Sequence, residues 1–297
     1  MLLLAAVMAT AAAASSRYIR FECQRNGVTY DCSFTLYDTG EARAMTATAQ
    51  RADADAIPTL LSLPRAVTSP DYPDVEFPVE AIGAGAFAGC GRLRSLDLSA
   101  TGITTIGQRA FAECSQLHSV TLPASLVTLG TRAFSKCTAL TRADLPAELK
   151  ELGLYVFEQC AALSSVAIPA GLDTFGSYLL DGCSSITTVV CKLPAPEKKA
   201  LGLPDAAYAA ATLYVPAGRA ALYSAVADWN RFGHIVEAGD VNADDSLDSA
   251  DVSVLLEKVL AGGVADGVQL MLADVNADGA LDSADVAILL ELVLSGR

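Results

Sequence analysis

Five cysteines recur at a nearly constant interval, and this period constrains the fold more than any other feature of the chain. Cys90, Cys114, Cys137, Cys160 and Cys183 are spaced 24, 23, 23 and 23 residues apart. Each closes a phrase of the form Ala-Phe-x-x-Cys or a near copy: Ala86-Phe87, Ala110-Phe111, Ala133-Phe134, Val156-Phe157, Leu179-Leu180. Three residues on comes an aliphatic side chain (Leu93, Leu117, Leu140, Leu163, Ile186), and Gly83, Gly107, Gly130, Gly153 and Gly176 keep the same beat. A period in the twenties implies a solenoid, in which each coil buries its apolar face only against its neighbours.

One copy, Ile106 to Thr128, shows how a coil is built. Leu117-His118-Ser119-Val120-Thr121-Leu122 has the form L-x-x-L-x-L, a strand with apolar residues inward and Ser119 and Thr121 outward. Pro123 ends it, as Pro146 and Pro169 do in the next copies, because proline has no amide for the ladder. Leu126 and Leu129 predict a second short extended segment. Gly130 is expected to turn the chain, and Arg132-Ala133-Phe134 to form a helical turn with Phe134 and Cys137 inside. The outward row of the first strands is Ser95, Asp97, Ser119, Thr121, Arg142, Asp144 and Ser165. It continues as Ala167, Thr188 and Val190, a candidate partner-binding face or a plain solvated one. The five repeat cysteines are expected to be buried and reduced.

The ends differ from the array. Residues 1–14 are apolar and rich in small residues, reading as a signal peptide, although no Lys or Arg precedes the run. Residues 15–78 contain β-forming runs broken by Asn26-Gly27 and Asp38-Thr39-Gly40, predicting a small β-meander that caps the solenoid. From 49 to 80 the prolines suggest irregular chain. Cys23 and Cys32 flank a turn signal and could bridge a hairpin if the compartment is oxidising.

Charge sets the last piece apart. The chain carries −14 overall, which argues against nucleic acid or anionic lipid as partners. Residues 240–297 hold twelve Asp/Glu and two Lys/Arg, a net of −10. Two twelve-residue segments recur there at an offset of 34, starting at Asp240 and Asp274. Each offers oxygen donors at positions 1, 3, 5, 9 and 12. These are Asp240, Asn242, Asp244, Asp248 and Asp251, then Asp274, Asn276, Asp278, Asp282 and Asp285. The backbone carbonyl of Ser246 or Ala280 serves position 7. Hard oxygen donors in this number suit Ca²⁺, so two ions are expected. Position 6 is Gly279 in the second loop but Asp245 in the first, which should weaken the first site. A helix is predicted after each loop, with Leu255, Leu256 and Val259, and Ile288, Leu289 and Leu292, facing inward.

These motifs resemble two known families. The repeats at 79–191, with a closing segment through Tyr214, Tyr223 and Trp229-Asn230-Arg231-Phe232, resemble the BspA-like leucine-rich-repeat surface proteins. The tail, with Asp at position 12 and no incoming helix, resembles a type I dockerin. The resemblance implies export to the cell exterior or surface. It also implies a tail that docks to a cohesin-like module or surface scaffold through Ser249-Ala250 and Ser283-Ala284. The expected fold is thus mixed: a leucine-rich-repeat solenoid (79–238) with a β cap and a small all-α calcium-binding domain (239–297). The expected function is adhesion or binding of a protein or glycan. A structural surface protein and a non-catalytic component of a polysaccharide-degrading complex are the alternatives. An enzyme is not expected, because His118 and His234 stand in no triad and Asp97 and Asp144 lie on an open face without a cleft.

Overall fold

The computed structural model describes residues 17–25, 28–38, 45–52, 59–63, 65–69, 72–242, 247–262, 272–275 and 280–295. Before residue 59, and over 67–75, only the backbone is described. The segment read as a signal peptide lies outside these residues.

The middle of the chain winds into a solenoid with three ladders of hydrogen bonds. The front ladder is a sheet of parallel strands, one per coil. Leu60–Leu61, Ser95–Asp97 and Ser119–Thr121 pair in order. After a break, Arg142–Asp144, Ser165–Ile168, Thr188–Cys191, Thr212–Val215 and His234–Glu237 continue in parallel. A second ladder joins the two-residue strands Thr105–Ile106, Thr128–Leu129, Glu151–Leu152 and Thr174–Phe175. Leu117, Leu126, Leu129, Phe134 and Cys137 are all fully buried, so the inward pattern of the repeat holds.

The third side is not helical, contrary to the expectation from Arg132-Ala133-Phe134. It is a run of overlapping β-turns. Ala110, Ala112 and Cys114 donate back to Gly107, Arg109 and Phe111 at 3.1–3.4 Å. The amides between them point along the axis instead. Arg109, Phe111 and Glu113 donate to the carbonyls of Thr131, Ala133 and Ser135 in the next coil at 2.8–2.9 Å. A helix would direct every amide at its own chain and leave the next coil unbonded. Each coil places two residues at positive φ to achieve this: Gly85 and Gly89, Arg109 and Glu113, Arg132 and Lys136, Tyr155 and Gln159, Tyr178 and Gly182.

The repeat glycines also act differently from expectation. Gly107 and Gly130 have ordinary negative φ. A Cβ on Gly107 would lie 2.7 Å from the amide nitrogen of Ala84, and one on Gly130 2.6 Å from that of Gln108. They let the backbones of neighbouring coils touch.

Inside, like stacks on like. Phe87, Phe111, Phe134 and Phe157 stack at centroid distances of 5.2, 5.3 and 5.9 Å. The six cysteines from Cys90 to Cys191 are buried and form no disulfide. The thiols of Cys114, Cys137, Cys160 and Cys183 donate to the carbonyl of the preceding coil's phenylalanine at 3.1–3.2 Å. Burial pushes Cys137 and Cys183 up to about 12 and Cys191 up to about 11.

Both ends of the solenoid are closed by strands. Arg17–Arg25, Val28–Asp38 and Met45–Ala52 form an antiparallel meander. Met45–Ala52 then pairs in parallel with Tyr72–Ile82, which meets Thr105–Ile106. Residues 72–82 are thus a long strand, not the irregular chain that the prolines suggested. Pro78 sits where this strand changes partners, from Ala66–Ser69 to its parallel neighbours, so its missing amide interrupts no continuous ladder. At the other end Trp229 is fully buried, donating to the carbonyl of Glu197 at 2.7 Å and meeting Tyr223 edge-on.

Candidate functional site

The tail has its own small core. Leu255, Ala273 and Leu289 are buried in a cluster separate from the solenoid's, flanked by Val252, Val259, Val286 and Val293. The helices Ser249–Leu260 and Ser283–Ser295 pack on one another through stripes at 252, 255, 259 and 286, 289, 293. This corrects two of the inward residues expected: Leu256 and Ile288 lie one position off the stripe and are 44% and 37% exposed.

Four carboxylates border this core. Asp240, Asp251, Asp274 and Asp285, the first and twelfth positions of the two loops, are all buried. Asp251 is held from three sides. Its Oδ1 accepts from the amides of Val241 and Asn242 at 2.8 and 3.1 Å, and its Oδ2 from that of Asp248 at 3.0 Å. Asp285 repeats the last contact with Asp282. The ninth positions lie outside the core: exposed Asp248 and Asp282 accept from Ala250 and Ala284 at 2.7 Å. Asp248 thereby caps the helix that starts at Ser249, with Asp251 completing the box. Asp244, Ser246, Asn276 and Asp278 lie outside the described residues, whereas Asn242 and Ala280 are exposed. Among the described residues no three acidic, Cys or His side chains converge as a complete metal site. The donor set nonetheless fits a hard divalent cation: every candidate donor is oxygen, and two carboxylates per loop are buried, a costly arrangement without positive charge beside them.

Ser249, Ala250, Ser283 and Ala284 are exposed at the two helix starts. The sequence pattern missed what continues from them. Leu256 and Leu260 are 44% and 78% exposed, and Leu290 and Leu294, at the same offset of 34, are 44% and 77% exposed. Each helix thus carries an outer row, Ser249-Ser253-Leu256-Leu260 or Ser283-Ala287-Leu290-Leu294, at helical spacing. Two-fold repetition of exposed leucines was legible in the offset, but they were hidden among equally apolar inward residues.

On the solenoid's front face the outward residues come together as expected. Ser95 lies opposite Ser119, with their hydroxyls 3.0 Å apart, Asp97 opposite Thr121, and Arg142 opposite Ser165. Arg142 is spent on Asp144 of its own strand at 2.7 Å, and Asp97 accepts from Ser99. His118 and His234 are exposed. Backbone register sets Cys23 opposite Tyr30 and Cys32 opposite Phe21, two positions apart on one face; their thiols are outside the described ones.

Residues 76–194 match the BspA type leucine rich repeat region in six copies, and residues 238–294 match the dockerin type I domain. Both are non-catalytic families, and dockerin type I domains bind calcium. No curated protein matches the chain. Among solved structures, a leucine rich repeat protein of T. pallidum is 23% identical over 68% of this chain and 78% of its own, with a TM-score of 0.47. A leucine-rich repeat protein from Bacteroides capillosus is 27% identical over 49% of this chain and 96% of its own, at 0.39. The pneumococcal vaccine antigen PcpA is 16% identical over 72% and 49%, at 0.48.

Proposed function

Because the chain joins a BspA type leucine-rich-repeat region to a C-terminal type I dockerin domain, we propose that it is an exported binding protein in which the tail docks and the repeats hold a ligand. The division is 1–14 signal peptide, 15–78 β cap, 79–238 repeats with their closing segment, and 239–297 docking domain. Proteins of both families are typically extracellular or on the cell surface, and no described helix is long and apolar enough to cross a membrane.

One observation carries the docking half of this reading: the tail presents the same surface twice. Each helix start, Ser249-Ala250 or Ser283-Ala284, opens an outer row that ends in exposed leucines. Among the described residues the domain buries a core of three side chains yet leaves four leucines exposed, a surface that a partner would cover. The occupant is a cohesin-type module, and two Ca²⁺ ions hold the loops that position both rows. Asp240, Asn242, Asp244, Asp248 and Asp251 hold the first ion with the carbonyl of Ser246. Asp274, Asn276, Asp278, Asp282 and Asp285 hold the second with that of Ala280. Calcium supplies the positive charge that offsets the burial of these carboxylates.

The test is capture of the full chain on immobilised cohesin modules with Ca²⁺ and with EDTA. Binding that needs Ca²⁺ and falls at least tenfold when both Leu256 and Leu290 become Ser supports docking. Calcium binding without capture by any cohesin would leave the tail as a folded chain end and favour a structural surface protein.

A further inference from the structure

The front sheet, where a leucine-rich repeat would be expected to bind, offers few anchors: small hydroxyls, a half-buried Tyr214, and an arginine already paired to Asp144. Aromatic and arginine side chains, which dominate binding energy elsewhere, stand on the turn side instead. Tyr155 and Tyr178 stack in successive coils, centroids 5.1 Å apart and planes 9° from parallel. The guanidinium of Arg132 lies 4.6 Å from the Tyr155 centroid on the coil before. Arg132 is fixed in turn by Glu158 at 2.9 Å, which also accepts from Ser135 at 2.8 Å. The result is a braced pile of flat groups along the solenoid axis, with Leu154 45% exposed beside it.

The pile ends at Tyr178, which is 41% exposed. The next coil supplies no ring to continue it: Tyr178 donates its amide to Ala200, and the following Leu201 is buried. The backbone does not need a tyrosine there. Arg132, Tyr155 and Tyr178 all sit at positive φ, 59, 57 and 61°. Gly85 fills the equivalent place in the first coil with no strain. Bulky aromatic residues in that conformation are therefore retained at a cost to the fold, an outlier of the kind that collects at functional sites.

Charge narrows the ligand. The cations of this side are paired internally, Arg132 with Glu158 and both Arg109 and Lys136 with Glu113. Those two carboxylates leave one positive charge over, and Asp181, whose charge also acts on Arg132, balances it, so the side holds no excess charge for an ionic partner. The surface offers an open ring face, hydroxyl tips and an aliphatic flank, in a row that advances one coil at a time.

We propose that the Arg132–Tyr155–Tyr178 stack is a binding site for a neutral polysaccharide, with a pyranose ring against the free face of Tyr178 and the chain running along the solenoid axis. This deepens the reading above, that the repeats hold a ligand, by naming the face and its chemistry. A rigid, pre-stacked platform loses little freedom on binding, which suits a ligand that makes few contacts.

The full chain is tested by affinity electrophoresis and calorimetry against xyloglucan, galactomannan and mixed-linkage glucan, with polygalacturonate as the charged comparison. The expected result is binding of at least one neutral polymer, not of polygalacturonate, unchanged by EDTA and weakened at least tenfold by Tyr178→Ala. Tyr178→Gly is the second variant: it should lose binding equally while its melting temperature stays level or rises, because it removes strain. Absence of binding to all three neutral polymers overturns the proposal, as does binding that survives both variants. Loss of binding in Arg142→Ala with Tyr178→Ala unaffected also overturns it, while leaving the repeats as the ligand-holding part.

Discussion

Six thiols inside one solenoid invite a redox reading, and their surroundings refuse it. Each of the column cysteines is sealed from solvent, and burial pushes the groups at 137 and 183 up to about 12. A thiol kept protonated is neither a nucleophile nor a metal ligand. It acts as a small donor, adding a second hydrogen bond to a phenylalanine carbonyl that already accepts a backbone amide. Iodoacetamide at pH 8 should therefore leave Cys90, Cys114, Cys137, Cys160, Cys183 and Cys191 unlabelled in the native chain and label all six in denaturant, read by peptide mass spectrometry. The same shifts set an alkaline limit. The unfolded thiol ionises more readily than the folded one, so this contribution is complete below the ordinary thiol value of 9.0 and erodes as pH rises toward about 12. Glu158 works in the opposite direction. The hydrogen bond from Arg132 holds its carboxyl below the usual range, so its contribution is complete above that range and disappears as pH falls through the depressed value. Glu158→Gln should flatten the acid limb of a stability-against-pH curve measured by urea unfolding and leave its alkaline limb unchanged.

At the scale of one coil, the sequence was legible wherever a side chain's burial repeats and illegible wherever the backbone's direction matters. The inward leucines, the Phe and Cys columns and the front strands all follow from spacing. The turn side does not, because Arg109, Arg132, Tyr155 and Tyr178 are not residues that advertise positive φ, and only the stacked amides force it. The glycine column was seen but misassigned for the same reason. Its role is contact between coils, which a single coil read alone cannot reveal. Gly130→Ala should consequently destabilise by about 3 kcal/mol, from overpacking against the backbone of Gln108 and Gly107. By contrast, Lys136→Gly, at a strained and exposed position, should be neutral or mildly stabilising. In the tail the loop spacing located the acidic residues but not the division of labour among them. Asp248, a candidate calcium ligand, also caps the helix that follows it. Asp248→Asn should keep the cap and lose calcium affinity; Asp248→Ala should lose both, with a further cost of about 1 kcal/mol in helix stability. Urea unfolding followed by circular dichroism in saturating Ca²⁺ separates the two variants.

The whole molecule is held by two cores of very different size. The solenoid's runs unbroken from Leu61 to Phe232, whereas among the described residues the tail's buried core is Leu255, Ala273 and Leu289. A core that small does not offset the entropy of ordering two helices and two loops, and it is bordered by four buried carboxylates that oppose compaction. On the proposed reading the tail therefore depends on bound Ca²⁺, while the repeats, stacked coil on coil through three ladders, do not. Calorimetry of the full chain should show two transitions. Adding Ca²⁺ should raise only the one assigned to the tail, by RT ln(1 + [L]/Kd) in free energy, about 2.7 kcal/mol at a hundredfold excess over Kd. EDTA should abolish it and remove the corresponding helical signal, leaving the larger transition in place. A single transition that moves as a whole with Ca²⁺ would instead mean that tail and solenoid fold as one unit. In that event calcium would govern the ligand-holding repeats as well as docking, and the two halves of the chain could not be assigned separate tasks.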